Sequence, residues 1–269
     1  MPSETLIWTV LSLAAVGVGA WLCYRGLTLH RQRKLIEETP TEDIWNLDLG
    51  PAEITGTAKP IDGETLRAPF TDETCLAATW EIEEWDEGGK HSSWRTEGSG
   101  SVSVSAFEVE DDTASIVVRP GGAEFDIDEG AEATIEVGGP DDPPKPIRKF
   151  LASDSTPGAS DRPLIEALDW GQQEGDRKYH HHLIKPGEEV YVYGTVHPEG
   201  DLVGPTKPEH MEIRKADERE EPMFLISDRP EEDLVRSRKF GVWRIPVGAI
   251  LALVGVGLLV ASLGVGLPL

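Results

Sequence analysis

RKYHHHLIKPGEEVYVYGTV, residues 177–196, is the stretch on which the reading of this chain turns. Its second half follows a Pro-Gly pair and alternates valine with tyrosine, the period-two pattern of a half-buried strand. The alternation places Val190, Val192 and Val196 inward and Tyr191, Tyr193 and Thr195 outward. Gly194, on the inward side, leaves room for a sharp bend or a closely approaching strand. The first half reads as a strand too, with His180 and His182 on one side and His181 on the other. Three adjacent histidines raise the question of a metal. Zinc takes imidazole together with carboxylate, so His180 and His182 would need a further ligand such as His91, His197 or an acid. The spacing matches no zinc signature, and the expectation is an imidazole-rich strand face with no metal and no cofactor.

The same alternation recurs upstream. Ile54, Gly56 and Ala58 share one face while Glu53, Thr55 and Thr57 point away; Ala78, Trp80 and Ile82 repeat the pattern, as do Val102 and Val104. After Ala106 the apolar set slips phase to Phe107 and Val109, which predicts a bulge or bend. EDDTAS (110–115) reads as a turn, and SIVVRP, GGAEFDI and EATIEVG supply further strands. The proline-rich 138–150 reads as an exposed loop. Short helices are predicted over 160–170 and over 227–239, the latter capped by Ser227 or Asp228. Many short strands with few helices predict a mainly β, α+β fold, a small barrel or sandwich.

The ends differ from the middle. Leu6–Tyr24 is 19 residues without a charge and Ile245–Leu269 is 25 more, and a helix of roughly 20 apolar residues spans a bilayer core. Two transmembrane helices, about 6–24 and about 245–267, are therefore expected, the first within an N-terminal segment 1–40 and the second within 234–269. Val18-Gly19-Ala20 would suit signal cleavage, but nothing basic precedes the apolar run. Arg25, Arg31, Arg33 and Lys34 follow the first span, and Arg236, Arg238, Lys239 and Arg244 precede the second. The positive-inside rule then puts residues 41–233 in the cytoplasm. Ala15 to Gly19 and Gly257 to Ala261 are small-residue steps that permit close helix packing, within the molecule or in a homo-oligomer.

Between Thr41 and Asp233 stand 46 acidic and 17 basic residues, a formal charge near −29. That charge opposes binding to nucleic acid phosphates and to anionic lipid headgroups, and it suits solubility at very high salt, where charges are screened over a few ångströms. Only Cys23 and Cys75 are present, which excludes a disulfide framework and a Cys-rich zinc module. No GxxxxGK, GxSxG or HExxH occurs, so no catalytic residues are assigned. Asp111-Asp112 and Asp141-Asp142 read as turn acids rather than a catalytic pair.

The order of these pieces resembles the GIDE, or beside-a-membrane, domain of the mitochondrial E3 ubiquitin ligase family, over about residues 50–260. The positions that carry the resemblance are Pro69 and Cys75; Phe107, Val109 and Asp111; Pro120 and Ala123; Tyr179 and Leu183; Pro186, Gly187, Val190, Val192 and Gly194; and Ile226 and Ser227. Ala114 replaces the usual glycine after the acidic turn. The resemblance implies a domain set between two spans and followed by a RING whose zinc ligands dock a ubiquitin-charged enzyme. Those ligands do not occur in this sequence. The expected function is accordingly a non-catalytic binding or scaffolding module at the membrane, acting with an unidentified protein partner. Alternatives are a component of a ubiquitin-like modification system whose RING a partner supplies, and a ligand or metal sensor.

Overall fold

The computed structural model describes residues 2–38, 41–86, 93–127, 131–138, 141–152, 176–200, 207–216, 223–231, 233–234 and 243–262. It divides into two units, one helical (Met1–Thr39 with Glu231–Leu269) and one built on sheets (Pro40–Pro230).

The helical unit pairs α1 (Pro2–Glu38) with α3 (Arg244–Ser262). Glycine sets how near they approach. A methyl group on Gly19 would lie 2.6 Å from the Ala252 amide, one on Gly248 2.6 Å from the Gly19 carbonyl, and one on Gly255 2.9 Å from the Ser12 carbonyl. Residue numbers rise along one helix as they fall along the other, so the pair is antiparallel. Of the two expected steps, Gly19 lies in this seam, whereas Gly257 has open space around it. The seam on α3 is Gly248, Ala252 and Gly255 instead, because only that side of the helix faces α1. Among the described residues, α1 is the one helix long and apolar enough to cross a membrane, over Ile7–Ile36; α3 is apolar but shorter over Arg244–Val260.

In the second unit the long strand β1 (Gly50–Pro60) pairs with β6 (Phe107–Glu110), β6 with β7 (Ser115–Val118), and β7 in parallel with β12 (Met211–Arg214). β12 pairs with β11 (Glu189–Pro198), and β11 returns to β1, closing a five-stranded Greek-key ring, the small-barrel class that includes OB-folds. Closure removes the ring's unpaired edges. Ile54, Val109, Val118, Val192 and Ile213 are among the buried residues filling it. Outside the ring, β13 (Leu225–Ser227) pairs with β11, and β8 (Glu124–Asp126) pairs with β13.

Two insertions into the ring build a second sheet. Between β1 and β6 lie β2 (Leu66–Arg67), β3 (Thr74–Cys75), β4 (Ala77–Asp86) and β5 (Ser93–Ser103). Between β7 and β11 lie β8, β9 (Ala131–Val137), α2 (Lys145–Leu151) and β10 (Arg177–Ile184). The sheet order β5-β4-β10-β9 takes two strands from each insertion. Its inner face holds Trp80, Ile82, Val137 and Tyr179 against Phe70 and against Ile147 and Leu151 of α2.

Several expectations change. Tyr191, Tyr193 and Thr195 are buried along with the valines, at 1%, 4% and 7% exposure, so both faces of β11 are covered. Glu53 is buried as well, and its Oε1 accepts a 2.7 Å hydrogen bond from the Thr41 hydroxyl. The phase slip at Ala106 falls on a bend, at Ser105, where the chain leaves the second sheet for the ring. The register irregularity falls instead between Ile82 and Glu83. The loop expected at 138–150 contains α2, because a proline beside the first helical turn favours a helix as firmly as it opposes a strand. Ser227 ends β13 rather than capping a helix; its hydroxyl donates to the Asp126 carbonyl (2.6 Å) and accepts from the Arg229 amide (3.0 Å). The helix predicted over 160–170 lies outside the described residues. Gly194 behaves as expected: an added Cβ would stand 2.6 Å from Ile213 Cγ2 and 3.0 Å from Phe224 Cδ2.

Candidate functional site

The three histidines lie side by side on β10, between β4 and β9, and each meets a different environment. His180 stands opposite Thr134 on β9. Its Nε2 lies 3.1 Å from Glu83 Oε2 and its Nδ1 2.9 Å from Thr134 Oγ1. With the proton on Nε2 it donates to Glu83 and accepts from the threonine hydroxyl, so both nitrogens are engaged within the sheet.

His182 shares that face. It lines a cleft of about 440 Å³ with Thr79, Glu81, Ser99, Ser101, Glu124, Phe125 and His180. The His182 Nδ1 is buried without a hydrogen-bond partner, and Glu81 accepts from Thr96 Oγ1 at 2.7 Å. The carboxylates accept hydrogen bonds, while the hydroxyls of Thr79, Ser99 and Ser101 both donate and accept, so the cleft is lined by polar groups of both kinds. No group of three or more His, Cys, Asp or Glu is placed to hold a metal among the described residues. His180 and His182 thus come together, but His180 has already committed its ring to Glu83 and Thr134.

His181 points into the core and is fully buried. Its ring stacks on Phe70, with centroids 5.7 Å apart and planes 7° from parallel, and its Nδ1 accepts the Phe70 amide hydrogen at 3.3 Å. Burial pulls its pKa down to about 4, with Glu73 opposing and the charges of His182 and Lys185 adding to the fall. The ring is therefore neutral at pH 7, with its proton on Nε2.

The positions that carry the family resemblance do not converge on a cleft; they are core and turn residues. Phe107, Val109, Tyr179, Leu183, Val190, Val192 and Ile226 are buried, and Pro69 and Pro120 are buried too. Pro120 and Ala123 close a turn through a 2.9 Å backbone bond, and Gly187, at φ +91°, turns the chain between β10 and β11. Asp111 ties its turn together (Discussion). Cys75 is buried, and desolvation, reinforced by the Glu73 charge, pushes its thiol up to about 12. A thiol held in that state is a poor nucleophile. In a Cys23→Ser background, iodoacetamide is expected to alkylate Cys75 only when the domain unfolds, following the denaturant transition by mass spectrometry. Rapid labelling of the native protein would contradict this.

Glu83, Thr134, Phe70 and Phe125 escaped the sequence reading. Each is placed by strand register or by tertiary packing, which no local pattern in one chain specifies. Comparison with family models, with curated proteins and with solved structures returned no match.

Proposed function

We propose that the chain is a two-pass membrane protein whose GIDE-like domain, inserted between the spans, is a non-catalytic binding or scaffolding module at the cytoplasmic face. The observation that carries this reading is the apolar exterior of the helix pair. Trp8, Leu11 and Trp21 on α1 and Ile250, Leu253 and Val254 on α3 are at least half exposed. Such a surface is costly in water and at ease in lipid. The antiparallel seam brings the end of α1 and the start of α3 to the same end of the pair, so both connections to the domain leave the bilayer on one side. The basic residues flanking both connections favour the cytoplasmic side.

The groups most suited to chemistry are withdrawn from it: the Cys75 thiol is held protonated, the His181 ring is stacked in the core, and His180 is engaged on both nitrogens. Among the described residues, the polar cleft beside His182 suits recognition of polar groups on a partner.

Protease added to sealed cells is expected to spare the domain and, after the membrane is opened, to digest it. Digestion in sealed cells would overturn the topology. Affinity capture from native membranes at molar salt should bring down a defined partner or further copies of the chain; a solitary monomer would overturn the scaffold.

A further inference from the structure

α2 carries three basic residues and no acid within this acidic domain. Its sequence KPIRKFL buries Ile147 and Leu151 and sets Phe150 edge-on against Phe70 and Trp80, at 5.6 Å between centroids in each case. Lys145, Arg148 and Lys149 are left on its outer side, exposed and with no carboxylate partner among the described residues. Several bases elsewhere in the domain are paired: Lys59 sits on Glu110, Arg119 on Glu212, Arg177 on Glu84, Lys178 on Glu136 and Lys185 on Glu73. Asp141 and Asp142 stand exposed just ahead of the helix, and no ion pair joins them to these three bases.

Beside the helix opens a cleft of about 450 Å³, separate from the histidine cleft. Leu66, Ala68, Val102, Pro146 and Phe150 line it with apolar surface, and Arg67 and Lys149 stand among its lining residues. Arg67 is held by a hydrogen bond from Nη1 to the Asp72 carbonyl oxygen, which fixes the guanidinium while leaving its other donors available. Thr71, Asp72 and Ser103 complete the polar part of the lining. The volume falls within the range of small-molecule sites. Cations that can grip a carboxylate or phosphate, next to a largely apolar trough, define an amphiphile with a negative head.

We propose that this cleft binds an anionic amphiphile, a carboxylate- or phosphate-headed molecule with a short aliphatic body, its head held by Arg67 and Lys149 and its tail laid against Val102, Pro146 and Phe150. The proposal stands apart from the topology above, since it concerns only the inserted domain.

The test uses the full chain in nanodiscs of zwitterionic phosphatidylcholine, titrated calorimetrically with octanoate against empty discs. Saturable binding is expected, with octyltrimethylammonium, which has the same tail and the opposite charge, failing to bind. Lys149→Glu should weaken octanoate at least tenfold, the loss of about one charge-assisted bond. Ser103→Phe, which fills the trough without touching a cation, should do the same, while Lys207→Glu should change nothing. Discs containing phosphatidylglycerol separate the sources: weakened octanoate binding identifies a lipid head as occupant, and unchanged binding identifies a soluble amphiphile. Equal binding of octyltrimethylammonium, wild-type affinity in Lys149→Glu, or binding of inorganic phosphate with none of octanoate would each overturn the proposal.

Discussion

Asp111→Ala is expected to cost roughly 3 kcal/mol of domain stability at pH 7, a few hydrogen bonds to a charged group lost together. One carboxylate serves two distant parts of the chain. Its Oδ1 accepts from the Thr113 amide (2.7 Å), the Thr113 hydroxyl (2.7 Å) and the Ala114 amide (2.8 Å), which makes the turn between β6 and β7. Its Oδ2 accepts from the Ile44 amide at 2.7 Å, fastening a short 3-10 turn whose Ile44 side chain is fully buried in the ring's core. Alanine leaves the Ile44 amide without its acceptor and frees the segment that leads into β1. Asparagine keeps one oxygen for the turn but would present an amide donor to the Ile44 amide, so Asp111→Asn should recover only part of the loss.

The pH dependence identifies the carboxylate as the cause. Burial pushes its pKa up, but the donors from Ile44, Thr113 and Ala114 outweigh it and the net shift is downward. A carboxylate with a lowered folded pKa contributes stability that is present above its unfolded value, near 3.8, and is lost as pH falls through the folded value. The cost of Asp111→Ala should therefore be the same at pH 7 and pH 5 and shrink only below about 3.8. Denaturant midpoints across that range check it; a cost that already shrinks between pH 7 and 5 would mean another group is responsible.

What was legible in the sequence tracks how local each cause is. The strands at 77–86 and 189–198, the turn at Asp111 and the tight glycine at 194 follow from alternation and turn chemistry, which neighbours along the chain impose. Alternation mispredicts the outward face of β11 because it reports which side is more apolar, and a tyrosine buries its ring as readily as a valine does. α2 is hidden in the sequence because the four prolines of 138–150 read as strand breakers, although Pro146 falls in the helix's first turn. The second sheet could not have been foreseen: its central pair, β4 with β10, joins residues about a hundred positions apart, from two separate insertions. The histidine cleft inherits that difficulty. Period two correctly put His180 and His182 on one face, but that His180 would be taken by Glu83 and Thr134 depends on the registers with β4 and β9.

His181 gives the domain an acid sensitivity in a different window from that of Asp111, and His181→Asn is expected to remove it. The imidazole is buried neutral, so its folded pKa, about 4, lies below the ordinary 6.5. Between those values the unfolded chain binds a proton that the folded chain refuses, and stability falls as pH falls, by at most about 1.4 kcal/mol per pH unit for a single group. Below the folded value both states are protonated and the loss levels off. Over the whole window, from 6.5 to about 4, the wild type should lose roughly 3 kcal/mol through this residue. Asparagine can place Oδ1 where Nδ1 now accepts the Phe70 amide, but it fills less space against the Phe70 ring. The variant should be less stable than wild type at pH 7, by about 1–2 kcal/mol for the vacated volume, and yet flatter in its pH dependence. The two stability curves should converge, or cross, toward pH 4. Guanidinium midpoints at half-unit pH intervals measure the slopes directly. Parallel curves would show that His181 already takes up its proton in the folded state, and that the ring stacked on Phe70 is not held neutral by burial.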